Sequence, residues 1–254
     1  MFIPLHDANS LKHIRLQYVT LGMIAINVIV FLITSLGGEA TTQAAALSLG
    51  YIPSVVFDHA ELPAQYVLIP ENATYVTYAF LHADLWHIGG NMLFLWVFGD
   101  NVEDAMGHVR FFLFFLICAA AGALLHGMVD TQSNAPLIGA SGAVAGVVAA
   151  YLILHPRVKV WILAFGRVPL RIPAWIALAA WIALQVFMFL AAGDDEVSWA
   201  AHIGGILAGA VLVLLFRRRA VPLFDREIVS PAAVEVATPD MRGETSPQGP
   251  WGRQ

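Results

Sequence analysis

The chain has 254 residues, 59% of them hydrophobic and 12% charged, about half the charged share of an ordinary soluble domain. A water-facing globule cannot hide that much apolar surface, so the composition excludes a soluble enzyme and points to a polytopic membrane protein. The net charge of −5 says less than its distribution, and the single cysteine, Cys118, excludes a disulfide framework or a cysteine metal site within the chain.

Residues 1–16 are polar and mildly basic and read as a cytoplasmic N-terminus. The first apolar run, 17–36, is not followed by a small-residue cleavage site, so it reads as a retained span. Residues 37–80 or so form a long, semi-apolar outer loop. Five more runs long enough to cross the hydrocarbon follow at about 85–106, 109–128, 138–155, 173–192 and 198–216. The fourth span is short and rich in Gly and Ala, which suits a helix buried among others. Residues 218–254 are rich in Pro, Gly and polar residues and are expected to be a disordered cytoplasmic tail. The fold class is therefore an all-α membrane protein, a bundle of six transmembrane helices over 17–217 with both termini in the cytoplasm. With that topology all 13 Lys and Arg fall on the cytoplasmic side. The opposite loops carry acids only, among them Asp58, Glu71, Asp130, Asp194, Asp195 and Glu196.

A polar group inside a span is a functional candidate, because it is costly there and should face the bundle interior. Three inward-running spans carry one. The second has His82, His87 and Asn91, the fourth has Ser141, and the sixth has His202. Ser141 lies 16 residues before Arg157, His202 15 before Arg217, and Asn91 16 before the helix-stopping Gly107. At about 1.5 Å per residue all three sit roughly 22–24 Å above the cytoplasmic end, at one level just below the outer surface. His87 is one turn from Asn91 on the same face. A hydroxyl level with an imidazole meets the minimum for nucleophilic catalysis, since the neutral ring can take the hydroxyl proton. His87, Asn91 and the Ser141 N–H are donors of the type that stabilises an oxyanion.

Each of these residues also has a plainer reading. Gly142 with Gly146, and Gly205 with Gly209, form the G-x-x-x-G spacing of closely packed helices, which would make Ser141 a small packing residue. His202 fits a hydrogen-bonded structural histidine, Asn91 a bridge between helices, and His82 an anchor at a helix start. Trp86, Trp96, Trp175 and Trp181 read as lipid or interface contacts.

At these positions the sequence resembles the rhomboid family of intramembrane serine proteases, over about 70–215. The family's H-x-x-x-x-H-x-x-x-N stands as His82, His87 and Asn91. Its G-x-S-G stands as Gly139, Ala140, Ser141 and Gly142. Its A-H-x-x-G-x-x-x-G stands as Ala201, His202, Gly205 and Gly209. "FGDNVEDAMG" resembles the family's second-helix end, with Glu103 expected to hold that end to its loop. The resemblance implies a six-helix bundle around an outward-opening, water-filled cavity. It implies a Ser141–His202 dyad with no acidic third member, and an oxyanion hole of Ser141 N–H, His87 and Asn91. It implies single-pass membrane proteins as substrates, cut within the bilayer in or near a transmembrane helix, with the fifth span and "AGDDEVSW" as parts of a gate. No metal, cofactor or nucleic-acid partner is expected. Two departures stand out. The place one turn after the serine, where many relatives carry a ring-stacking Tyr, is Ala145. The first outer loop also has no arginine to form the Trp-Arg pair of some bacterial members. Six spans without an added domain suggest a bacterial plasma-membrane protein. The competing readings are a non-catalytic rhomboid-like protein that binds membrane clients, and a small transporter. The transporter would need a polar path through the apolar inner halves "VVAAYLIL" and "GAVLVLLF".

Overall fold

The computed structural model describes residues 2–191 and 198–224. A strand, β1 (Phe2–Asp7), comes first, then helix α1 (Tyr18–Leu36). The segment that follows is not plain loop. It carries α2 (Glu39–Leu49), the single turns α3 (Pro53–Val56) and α4 (Thr74–Thr77), and three 3₁₀ turns. Next are α5 (Leu85–Met106), α6 (His108–Val129) and α7 (Ser141–Leu154). A hairpin, β2 (Lys159–Ala164) and β3 (Val168–Pro173), leads into α8 (Ala174–Ala191), and α9 (Trp199–Phe216) is last.

Among the described residues four helices, α1, α6, α8 and α9, are long and apolar enough to cross a membrane, which makes the chain an integral, multi-pass membrane protein. The other two predicted spans differ for physical reasons. Helix α5 matches α6 in length, but Asp100, Glu103 and Asp104 occupy its last two turns. Helix α7 has 14 residues, so it is about 21 Å long. Every residue from Gly142 to Tyr151 is buried, so its surroundings are other helices and its length need not match the hydrocarbon.

Glycine lets α6, α7 and α9 meet backbone to backbone. A Cβ at Gly205 would overlap the Gly142 carbonyl oxygen, and one at Gly209 would overlap that of Gly146. At Gly146 a Cβ would lie 2.6 Å from Cys118 Sγ on α6. The G-x-x-x-G pairs thus do pack helices, as their plainer reading held.

Two expectations are corrected. The chain is mostly helical but not all-α, since β1, β2 and β3 form an antiparallel sheet in that order. The reading of 1–16 as a mere polar lead-in missed β1, whose Phe2, Pro4 and Asp7 alternate with exposed Ile3, Leu5 and His6. Pro169 and Pro173 on β3 mark it as an edge strand, because proline has no N–H to offer a further partner.

Glu103, expected to hold its helix end to the loop, meets His108 Nδ1 just past the Gly107 turn that ends α5, and it also caps another helix. Its carboxylate accepts from Val19 N–H (3.0 Å), Thr20 N–H (2.8 Å) and Thr20 Oγ1 (2.6 Å), the orphan donors at the start of α1. Asp104 likewise accepts from the N–H groups of Lys12, His13 and Ile14. Asn101 Nδ2 donates to Asp7 Oδ2 at 3.0 Å, as does the Tyr151 hydroxyl at 2.6 Å. The acidic end of α5 therefore ties down the chain from β1 to α1.

Burial raises the Asp7 carboxyl to about 6, against the hydrogen bond from Tyr151 that lowers it. The folded value lies above the ordinary 3.8, so this group's contribution to stability is full below about pH 4 and is lost as pH rises through 6. Asp7→Asn keeps an acceptor for Tyr151 and Asn101 but cannot ionise. Its melting temperature in detergent, relative to the unsubstituted chain, is expected to rise more at pH 8 than at pH 5. An advantage independent of pH would contradict this account.

Candidate active site

Ser141 is the first residue of α7. Helix α7 makes its first i→i−4 bond from Val144 N–H to Ala140 O, at 2.9 Å. The N–H groups of Ser141, Gly142 and Ala143 precede it and have no carbonyl within the helix. A helix start of this kind favours negative charge. The span predicted from 138 thus begins at the serine itself, and Ser141 is half-buried. The approach to it is pinned. Leu137 pairs with Tyr51 through two backbone bonds, and Gly139 N–H donates to the Tyr78 carbonyl at 3.0 Å.

Gly139 has φ of +120°, where a side chain is strained, and a Cβ there would lie 2.5 Å from His87 Nε2. The missing side chain lets the His87 ring lie against the turn that delivers Ser141. His82 is buried, 2% exposed. It does not cap α5, because the N-cap is Asp84, which accepts from Trp86 N–H and His87 N–H. His82 Nε2 instead faces the Ala140 N–H at 3.5 Å, and its ring meets His87 edge-on with centroids 5.1 Å apart. Asn91 is buried one turn along α5, and its Nδ2 donates to the His87 carbonyl at 3.1 Å.

His202 sits in the first turn of α9. A Cβ on Gly142 would lie 3.1 Å from the Ala201 carbonyl oxygen. The residue after Ser141 and the residue before His202 thus approach too closely to admit a side chain between them. No hydrogen bond joins Ser141 Oγ to the His202 ring among the described residues. His202 Nδ1 is bonded to Gln185 Oε1 on α8 at 2.8 Å. Trp181 lies roughly parallel to the ring at 6.3 Å, and Trp199 meets it edge-on at 5.7 Å. Trp181, read from the sequence as a lipid or interface contact, also stands beside the His202 ring. Catalytic hydrogen bonds are often long before substrate binds, so the missing Ser–His bond does not separate the two residues chemically.

Sequence reading missed two features. Gln185 is one; a lone amide in an apolar span was the available signal, since it must find a partner. The other is Ser198 Oγ, which lies 2.7 Å from His126 Nδ1, a hydrogen-bonded Ser–His pair at the start of α9. Ser198 Oγ also accepts from Ala201 N–H at 3.2 Å, so it serves as the N-cap of α9. Asp194, Asp195 and Glu196 of the expected gate lie outside the described residues, as does the tail from 225. Among the described residues no cluster of three metal-ligating side chains occurs.

These features define a multi-pass membrane protein with a serine at a helix start, His82 and His87 against the turn that precedes it, and His202 on the neighbouring helix α9. The family model for the Rhomboid domain matches residues 70–219, more than half of the chain, and the chain belongs to the rhomboid family. It is 33% identical to Rhomboid protein 1, mitochondrial, of Saccharomyces cerevisiae over 141 residues, covering 52% of this chain and 38% of that protein. It is 29% identical to Rhomboid-like protein 11, chloroplastic, of Arabidopsis thaliana, over 61% of this chain and 56% of that protein. With Rhomboid-related protein 2 of Mus musculus it shares 33% identity, over 53% and 45%. The chain thus spans from just under two-fifths to just over half of the length of these relatives. They are eukaryotic, two with organellar names, and give no support to a bacterial plasma membrane.

Proposed function

We propose that the chain is an intramembrane serine endopeptidase. It has six transmembrane helices over 17–217, both termini and the 218–254 tail in the cytoplasm, and cuts single-pass membrane proteins in or near their transmembrane helix. Ser141 is the nucleophile and His202 the general base. Ser141 N–H, His87 and Asn91 are the oxyanion donors, and His82, Gly139, Gly142, Glu103, Gly205 and Gly209 support them. The observation that carries this reading is the close approach of Gly142 to Ala201. It supports pairing the N–H groups at the start of α7, which have no carbonyl within the helix, with the buried His202 of α9.

In the reaction Ser141 Oγ bonds to the scissile carbonyl carbon while its proton passes to His202 Nε2. The oxyanion is held by the donors, the C–N bond breaks, and His202 returns the proton to the leaving amine. Water repeats the sequence on the ester, freeing Ser141. A substrate helix has its backbone bonds satisfied internally and must unwind locally, so helix-breaking residues near the cut favour cleavage.

A non-catalytic, client-binding role is favoured by one observation, the missing bond between Ser141 and His202, and Ser198 with His126 offers a rival pair. A fluorophosphonate label decides among the three readings. Mass spectrometry should place the adduct on Ser141, and His202→Ala should remove it. An adduct on Ser198 would assign the rival pair, and no adduct at either would favour the client-binding role.

A further inference from the structure

The place that carries a ring-stacking Tyr in many relatives is Ala145, which leaves open what holds His202. Gln185 Nε2 lies 3.0 Å from the Trp181 carbonyl oxygen, and Gln185 Oε1 lies 2.8 Å from His202 Nδ1. A carbonyl oxygen only accepts, so the NH₂ end of the amide must face Trp181 and its oxygen must face the ring. That oxygen also only accepts, so Nδ1 must carry the imidazole proton. Nε2 is then the bare nitrogen, the one able to take a proton from a hydroxyl. Gln185 is 3% exposed and is one of four buried residues of α8, with Ala174, Ala177 and Leu178. The amide therefore has little freedom to turn over.

We propose that Gln185 is the positioning residue of the general base, fixing the tautomer and the plane of His202. This rests on His202 being that base. Its part resembles that of the third member of a soluble catalytic triad, which orients the imidazole, but Gln185 is neutral and so cannot favour the imidazolium by charge. It also ties the base to α8. His202 belongs to α9, which packs backbone to backbone on α7, whereas α8 buries only that narrow stripe. Displacing the Gln185 end of α8 from α9 releases the imidazole.

The test uses the full chain in lipid vesicles and a fluorophosphonate probe, with labelling of Ser141 followed against pH. Gln185→Leu should slow labelling by about ten- to a hundredfold, the order by which loss of the hydrogen-bond partner of a metal-bound histidine lowers activity. Gln185→Glu supplies the same acceptor with a charge. It should label faster than Gln185→Leu and shift the midpoint of the pH profile upward. Equal slowing by both variants with an unmoved midpoint would mean a packing role and overturn the proposal, as would labelling of Gln185→Leu at the unsubstituted rate. Nitrogen-15 NMR of histidine-labelled protein reads the tautomer without activity. The Nδ1–H form is expected at His202, and an Nε2–H form overturns the proposal. Failure of the unsubstituted chain to label while NMR shows Nδ1–H would sink the protease reading and leave the Gln185 contact standing.

Discussion

Ser141→Ala is expected to bring cleavage of a transmembrane substrate to background while leaving the protein folded. Ser141 Oγ has no hydrogen-bond partner among the described residues, so its loss leaves no buried group unpaired. Alanine is also a good helix former at the first position of α7. The melting temperature should therefore hold. Removing the nucleophile of a serine hydrolase costs on the order of 10⁶ in kcat, because the rest of the machinery has nothing to activate. The control is Ser198→Ala. That variant loses the N-cap of α9, at a cost of about 1 kcal/mol, and should melt lower yet still cut. Cleavage that survives Ser141→Ala and vanishes with Ser198→Ala would reverse the assignment.

The contrast between these two serines shows what the sequence could and could not disclose. Ser141 stood out in the sequence as a candidate because its type, its expected depth and its small neighbours converge with histidines on two other spans. Its position at the start of α7 did not, since helix starts in apolar, glycine-rich segments lack the side-chain cap that would mark them. Ala140 precedes it with no such bond. Glu103 was visible as a costly charge near a helix end, but its partners on α1 lie more than eighty residues away, and no local pattern encodes that distance. The sheet was missed because "FIPLHD" and "VPLRIP" are short and carry prolines, and their pairing across the chain is a tertiary event. Gln185 was passed over as one polar residue in a long apolar run. Its meaning depends on the neighbouring helix, which is where such a group must find its hydrogen bond.

Gly205→Val is expected to prevent the bundle from assembling. A Cβ there meets the carbonyl oxygen of Gly142, a backbone atom on a helix buried on all sides, so neither partner can turn aside. Relief requires α7 and α9 to separate. Side-chain overpacking in a core costs about 1–3 kcal/mol, and two clashing backbones with a branched side chain between them exceed that. Detergent-solubilised Gly205→Val should elute as aggregate. Gly22→Ala, where nothing lies within 4 Å, should elute like the unsubstituted chain. Gly205→Ala is the more informative variant, because the same contact sets the spacing between Ser141 and His202. A protein that folds with α7 and α9 slightly apart should lose more activity than stability, since a displacement of about 1 Å at reacting groups costs on the order of a hundredfold in rate. A Gly205→Ala protein that melts normally and cleaves at full rate would show that the helix contact does not set the reacting distance.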